Sequence, residues 1–224
     1  MKKRLLIFLL LFPSFFLYGI THRTVPVFFT SYSPCQVVVD IGHGGADPGK
    51  VGINGILEKD VNLAIGTYLT EYLSAAGYSV NMTRAQDMSL ADADASNQKL
   101  SDFKNRVSLI ESASPSAVIS IHQNSYSDPK IWGSQVFCAN TPASMKLASS
   151  IQEQCRRIIN PSNSRQIKNS LDYYLFHHVT CPIALVECGF LSNYEEASLL
   201  VTEEYQRKTA WAIYMGTAAF LNSL

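Results

Sequence analysis

Two histidines and two glutamates in this sequence stand where a chain can put them to chemical use. His43 lies in Gly42-His43-Gly44-Gly45, directly after the run Val37-Val38-Val39-Asp40-Ile41. His122 follows Ala117-Val118-Ile119-Ser120-Ile121, and Glu187 follows Ile183-Ala184-Leu185-Val186. Short β-branched apolar runs of this kind predict strands buried on both faces. If those strands are parallel, all three side chains arrive at one sheet edge, where open α/β sheets place their active sites. Glu58 begins a helical pattern shortly after the first loop and can return a carboxylate to the same edge. Two imidazoles, one carboxylate ligand and one spare carboxylate are the parts of a catalytic zinc site. Glu187 is the most telling of them, because a carboxylate directly after an apolar strand is costly to bury without a metal, a cation or a catalytic task. Beside a metal-activated water it can accept a proton and pass it to a leaving amine.

Each residue taken alone has a plainer reading. A lone buried histidine is commonly a hydrogen-bonded core residue, and Glu58 could serve only the helix dipole. The combination at one edge favours chemistry. His177-His178 are adjacent in sequence, need not converge on one metal, and read as part of a loop. Asp87, Asp92 and Asp94 fall in the aperiodic stretch Ala85 to Asn97, which lacks the glycine and closing glutamate of a calcium loop and reads as a solvated loop.

The elements that must position these residues follow from periodicity. Glu58 to Ala76 carries apolar residues at helical spacing and stops at Gly77. Tyr78, Val80 and Met82 alternate as a strand ending at Thr83-Arg84. Leu100 to Ser112 predicts a helix with Phe103, Val107, Leu109 and Ile110 inward; Ser134 to Cys138 predicts a strand, and Ala143 to Ile159 a helix stopped at Asn160-Pro161. Leu171 to Phe176 reads as a short strand. Glu195 to Leu200 and Glu203 to Leu221 read as terminal helices, the last presenting Trp211, Tyr214, Ala218 and Leu221 to the core. Strands alternating with helices argue an α/β fold: a mixed, mostly parallel sheet covered by helices on both faces, in a single catalytic domain.

The 224 residues fit that domain, expected over 36–224, behind an N-terminal segment. Met1-Lys2-Lys3-Arg4 is a basic start to the almost wholly apolar Leu5 to Ile20, so 1–20 reads as a signal peptide or signal anchor. Residues 21–35 read as a linker. The domain is therefore expected outside the cytoplasm, released or held at the membrane through its N-terminal segment. Eighteen basic residues balance 18 acidic ones, which gives no footprint for nucleic acid. The five cysteines are odd in number and form no C-x-x-C pair, so they read mainly as small buried hydrophobes.

GHGGADPG, the LEKDVNLA stretch around Glu58, ISIHQNS around His122 and LVECGFLSN around Glu187 together resemble the zinc-dependent N-acetylmuramoyl-L-alanine amidases. The blocks come in that family's order, and the similarity extends over Gln36 to Leu224. The short length, basic-apolar N-terminus and DFKNRVSLI helix resemble the germination-specific members found in spore-forming bacteria. The resemblance implies Zn2+ held by His43, Glu58 and His122, with Glu187 as catalytic acid/base. It implies hydrolysis of the amide between N-acetylmuramic acid and L-alanine in peptidoglycan. In the germination-specific group this step prepares spore-cortex peptidoglycan for muramic-δ-lactam formation, which would put the domain on the cortex side of the forespore. Asn124, Arg84 and His177 are the expected substrate contacts, His177 because many relatives carry arginine there. An accessory protein of unknown kind is a further expected partner. Ile41 and Cys188 depart from the residues usual in relatives and leave the four chemical positions intact.

Three other readings compete: a vegetative cell-wall amidase, a non-catalytic peptidoglycan-binding protein on the same fold, and a zinc peptidase cutting within the stem peptide. The last lacks its usual H-x-x-E or H-E-x-x-H spacing. Neither the Gln123 to Gly133 loop nor Ala85 to Asn97 offers an apolar helix long enough to plug the site, so an uncovered site is expected.

Overall fold

The computed structural model describes residues 36–224; the segments read as an export signal and a linker, and Cys35, lie outside the described residues. The elements, in order, are β1 (Val37–Ile41), α1 (Glu58–Ala75), β2 (Val80–Met82), α2 (Gln98–Ala113), β3 (Ala117–Asn124) and β4 (Gln135–Cys138), then α3 (Pro142–Gln154), β5 (Lys168–Asn169), α4 (Tyr174–His178), β6 (Ile183–Phe190), α5 (Tyr194–Leu200) and α6 (Glu203–Leu221). The strands form one six-stranded sheet in the order β2-β1-β3-β6-β4-β5. β2, β1, β3 and β6 are mutually parallel, and β4 runs antiparallel to β6. The fold is thus the mixed, mostly parallel α/β sheet that the periodicity predicts.

Pleating sends alternate residues to opposite faces. Val37, Val39 and Ile41, Ala117, Ile119 and Ile121, and Ala184, Val186 and Cys188 belong to the large core packed under α1, α3 and α6. Val38, Val118 and Ile183 share a smaller cluster with Ile110 of α2 and Leu175 of α4. Further along these same strands the second face turns polar, through Asp40, Ser120, His122 and Glu187. That change of character at the carboxyl ends leaves room for a site. Cys138, Cys155 and Cys188 are buried thiols, the Cys155 thiol pushed up to about 12 by burial.

Two expected elements differ. Leu171 to Phe176 is not a strand: the sheet edge is closed by Lys168–Asn169, the chain turns through Ser170 and Asp172, and Tyr174–His178 forms one helical turn that buries Leu175. A short aromatic run does not distinguish strand from helix by itself. On α6 the buried stripe is Thr209, Ala210, Ala212, Ile213, Gly216, Thr217 and Phe220, whereas Trp211 is 43% exposed. Trp211 lies on the flank, edge-on to Tyr72 of α1, whereas Tyr214 and Leu221 are partly buried and pack against the core as expected. Small residues take the buried stripe because α6 lies close on α3; a Cβ on Gly216 would stand 2.5 Å from Ile151 Cα.

Candidate metal centre and catalytic cavity

β1, β3 and β6 end side by side, with Ile41 opposite Ile121 and His122 opposite Glu187. The loop after β1 turns at His43, whose backbone is left-handed at φ 63°, an uncommon state for a residue with a side chain. It then passes Gly44 and Gly45 and reaches α1, whose first residue is Glu58. Glu58 is 4% exposed and receives both imidazoles. His43 Nε2 lies 3.2 Å from Glu58 Oε2, and His122 Nδ1 lies 2.9 Å from Glu58 Oε1. One ligand atom from each of the three residues falls within 4.8 Å of the others. Neighbouring groups hold this arrangement. Asp47 Oδ2 is 2.8 Å from His43 Nδ1, the backbone N–H of Lys50 donates to Glu58 Oε2 at 2.8 Å, and that of Gln123 donates to Oε1 at 3.0 Å. Asn62, one helical turn after Glu58, links the Gly42 carbonyl to the Gln123 side chain.

The donor set fits a divalent cation. Two borderline nitrogen donors and one carboxylate are the ligands zinc takes in catalytic sites, and they leave a position open to the cavity. The surroundings are built tightly around them: a Cβ on Gly42 would stand 2.3 Å from the His122 ring, and one on Gly49 would stand 2.6 Å from Glu58 Oε2. Asp47 on the far nitrogen of His43 supplies the outer-shell carboxylate that fixes ring orientation in metal-binding histidines. Electrostatics agree. Burial would raise the Glu58 carboxyl, but His122 and His43 overcome it and hold the group well below the usual range. Burial would lower His43, and Glu58 with Asp47 reverses that and raises it.

Glu187 behaves differently. It is 8% exposed, and its Oε2 has no hydrogen-bond partner. Burial pushes its carboxyl up to about 7, His122 opposes the rise and Glu58 adds to it. A carboxyl poised near neutrality with one oxygen unpartnered is suited to exchange protons at physiological pH. It lines a cavity of about 620 Å³ together with His43, Glu58 and His122. Phe103 of α2 and Tyr174 of α4 stack across that cavity's far wall, rings 5.2 Å apart and nearly parallel.

The structure brings His43, Glu58, His122 and Glu187 together and leaves Asn124, Arg84 and His177 out of the cavity lining. Asn124 ends β3, with its Oδ1 accepting the Ser125 N–H. His177, on α4, has its Nε2 2.6 Å from the carbonyl of Leu171. Arg84 is 2% exposed and spends its guanidinium on the main-chain carbonyls of Ile41, Gly42, Lys59 and Gln86. Asp47, Asn62, Gln123 and Arg106 are the supporting residues that sequence reasoning passed over. Asp47 and Asn62 each stand four residues after an expected ligand, a spacing that could have drawn attention to them. The stretch 85–97 is also more than a solvated loop: Asp87 accepts the Gly45 N–H and the Lys59 ammonium, and Ser89 reaches the cavity. Among the described residues, no helix from it or from the loop after β3 lies over the site.

A model of the N-acetylmuramoyl-L-alanine amidase family matches residues 37–219. The germination-specific N-acetylmuramoyl-L-alanine amidase of Bacillus subtilis is 40% identical over 184 residues, which cover 80% of this chain and 77% of that one. Among solved structures, the CwlD amidase from Clostridioides difficile, in complex with the GerS lipoprotein, aligns with a TM-score of 0.82 at 36% identity, over 84% of this chain and 99% of that one. The amidase AmiC2 of Nostoc punctiforme aligns with a TM-score of 0.74 at 28% identity, over 86% and 99% of the two chains.

Proposed function

This chain belongs to the N-acetylmuramoyl-L-alanine amidase family and is an amidase acting on peptidoglycan; from that premise we propose a zinc-dependent hydrolysis in which His43, Glu58 and His122 are the ligands and Glu187 the catalytic acid/base. The observation that carries this reading is the convergence of two imidazoles on one buried carboxylate beside a second carboxylate with one unpartnered oxygen. Zinc held through His43 Nε2, His122 Nδ1 and the Glu58 carboxylate would polarise the scissile carbonyl and make water more acidic. Glu187 accepts a proton from the attacking water as the water oxygen bonds to the lactyl carbonyl carbon. It returns that proton to the amide nitrogen as the C–N bond breaks, leaving a lactyl carboxyl group on the sugar and a free amino group on L-alanine. Asp47 holds the His43 ring through Nδ1, and Asn62 and the Gln123 N–H hold Glu58 in place.

The biological setting proposed is spore-cortex maturation. It is supported by the likeness to a germination-specific amidase, with the domain over 36–224 exported behind residues 1–20. A lipoprotein is the class of accessory partner to seek, because the CwlD amidase was solved with one. The test is to digest purified cortex and vegetative peptidoglycan with the zinc-loaded enzyme and weigh the products. Peptides beginning at L-alanine, released faster from cortex, are expected. Equal release from both walls would favour a vegetative amidase, and cuts within the stem peptide would overturn the reaction.

A further inference from the structure

The loop that carries His43 is held by two buried arginines that belong neither to the ligand set nor to the proton chemistry. Arg84, which follows β2, donates Nε to the Ile41 carbonyl at 3.2 Å and Nη2 to the Gly42 carbonyl at 3.1 Å. Arg106, on α2, donates Nη1 to the Ile41 carbonyl at 2.6 Å and Nη2 to the His43 carbonyl at 2.9 Å. Three successive carbonyls are thus taken by two side chains arriving from different elements. Both arginines are 2% exposed.

Such burial of charge needs compensation, and Arg106 has it in full. Its Nη1 also meets Asp40 Oδ1 at 2.8 Å and its Nε meets Asp102, while Asp40 is fixed in turn by Ser120 and Thr83. The anchor reaches down into the sheet floor, and the guanidinium delivers that rigidity to the backbone of His43. The need for it lies in the loop itself. The last bond tying this segment to the sheet is from the Gly42 N–H to the Ile121 carbonyl; the next residue is left-handed and bears a ligand side chain. A residue in that state persists only where its surroundings over-determine it. Meeting Asp40, Asp102 and two carbonyls at once needs the planar fork of a guanidinium, which a lysine ammonium cannot supply.

We propose that Arg106 is a positioning residue for His43: acting with Arg84, it clasps the carbonyls of Ile41, Gly42 and His43 and so fixes where His43 Nε2 stands relative to Glu58 and His122. The proposal rests on the reading of His43 as a metal ligand. Because Arg106 also borders the cavity, direct contact with substrate is the rival role.

The experiment compares Arg106→Met, Arg106→Lys and His43→Ala in the full chain. Zinc affinity is measured by chelator competition, thermal unfolding is followed without metal, and KM and kcat are taken at increasing free zinc. Arg106→Met is expected to weaken zinc binding by about 10- to 100-fold, with Arg106→Lys between it and the parent. Activity should return toward the parent value as free zinc rises, with KM unchanged. Unchanged zinc affinity with a raised KM would make Arg106 a substrate contact, and unchanged affinity with only a lower unfolding temperature would make it purely structural; either result overturns the proposal. If Arg106→Met does not fold, Arg106→Lys carries the same comparison. Should His43→Ala bind zinc as the parent does, the ligand reading falls and the proposal with it. Zinc loss in His43→Ala alone would sink only the role of Arg106.

Discussion

At the scale of single residues, the two buried glutamates divide the work by environment. Glu58 is surrounded by donors and held ionised, whereas Glu187 has an unpartnered oxygen and a carboxyl raised to about 7 by burial. Glu187→Gln should therefore retain zinc and lose turnover by about 10²- to 10⁴-fold, the usual worth of general acid/base catalysis. Zinc stoichiometry measured beside the rate checks it, and loss of the metal would make Glu187 a ligand. The same group sets the acid limb of the pH profile. Its base form is the carboxylate, so kcat/KM should fall as pH drops through its pKa. A bound cation draws that value below about 7, so the limb of the zinc-saturated enzyme should lie on the acid side of neutrality. A limb that persists unchanged in Glu187→Gln would assign it to another group.

At the scale of elements, close packing of α6 on α3 is what seats the large core under the sheet. Gly216 faces the Ile151 backbone at a distance that leaves no room for a methyl group, and helix backbones cannot yield as a flexible side chain can. Gly216→Ala should cost about 1–3 kcal/mol through overpacking, read as a lower unfolding temperature. Activity per folded molecule should be unchanged, because this contact is on the sheet face opposite the cavity. A fall in kcat without loss of stability would mean that the two faces are coupled. The short α4 shows a different lesson. Its first residue, Tyr174, builds the cavity wall, stacking on both Phe103 and His178, and so a run that resembles a strand serves as one helical turn.

At the scale of the whole molecule, the buried Asp40–Arg106 pair ties β1 to α2 beneath the cavity. Burial alone would raise the Asp40 carboxyl; Arg106 and Ser120 overcome it and hold the group below its ordinary range. A depressed native pKa stabilises the fold fully above the unfolded value of about 3.9, and that stability is lost as pH falls through the native value. Metal-free protein should thus hold its Asp40 contribution down to about pH 5 and lose it progressively below pH 4. Asp40→Asn should destabilise the fold near neutrality, by less than the roughly 3–5 kcal/mol of a fully orphaned buried charge because Asp102 still pairs with Arg106, and acid titration by circular dichroism compares the two. Zinc acts in the opposite direction. At 100 times its dissociation constant it should add about 2.7 kcal/mol, raising the unfolding temperature by roughly 5–10 °C for a chain of this size. A chelator should reverse the rise, and no shift would mean that the folded protein does not bind zinc.

The amino-acid sequence by itself determined the class of fold, the parallel strands β1, β3 and β6, and the position of His43, His122 and Glu187 at their carboxyl ends. These follow from short-range facts: a β-branched run buries, alternation assigns faces, and glycine permits the turn. It also determined that α1 begins at Glu58, because helical periodicity starts there. Tertiary structure alone decided what surrounds those side chains. Arg106 reads in sequence as one polar position on an amphipathic helix, yet packing of α2 carries its guanidinium to Asp40 and the His43 carbonyl, each more than 60 residues away. Arg84 reads as a strand-end cation open to substrate, yet folding buries it and spends its donors on the carbonyls of Ile41 and Gly42. The stripe of α6 that faces inward was likewise chosen by α1 and α3, since two neighbouring stripes of one helix differ by a rotation that sequence periodicity resolves poorly. Local pattern sets which residues arrive at an edge; long-range packing sets what they meet there, because those partners are brought together only when the sheet and its helices close over one another.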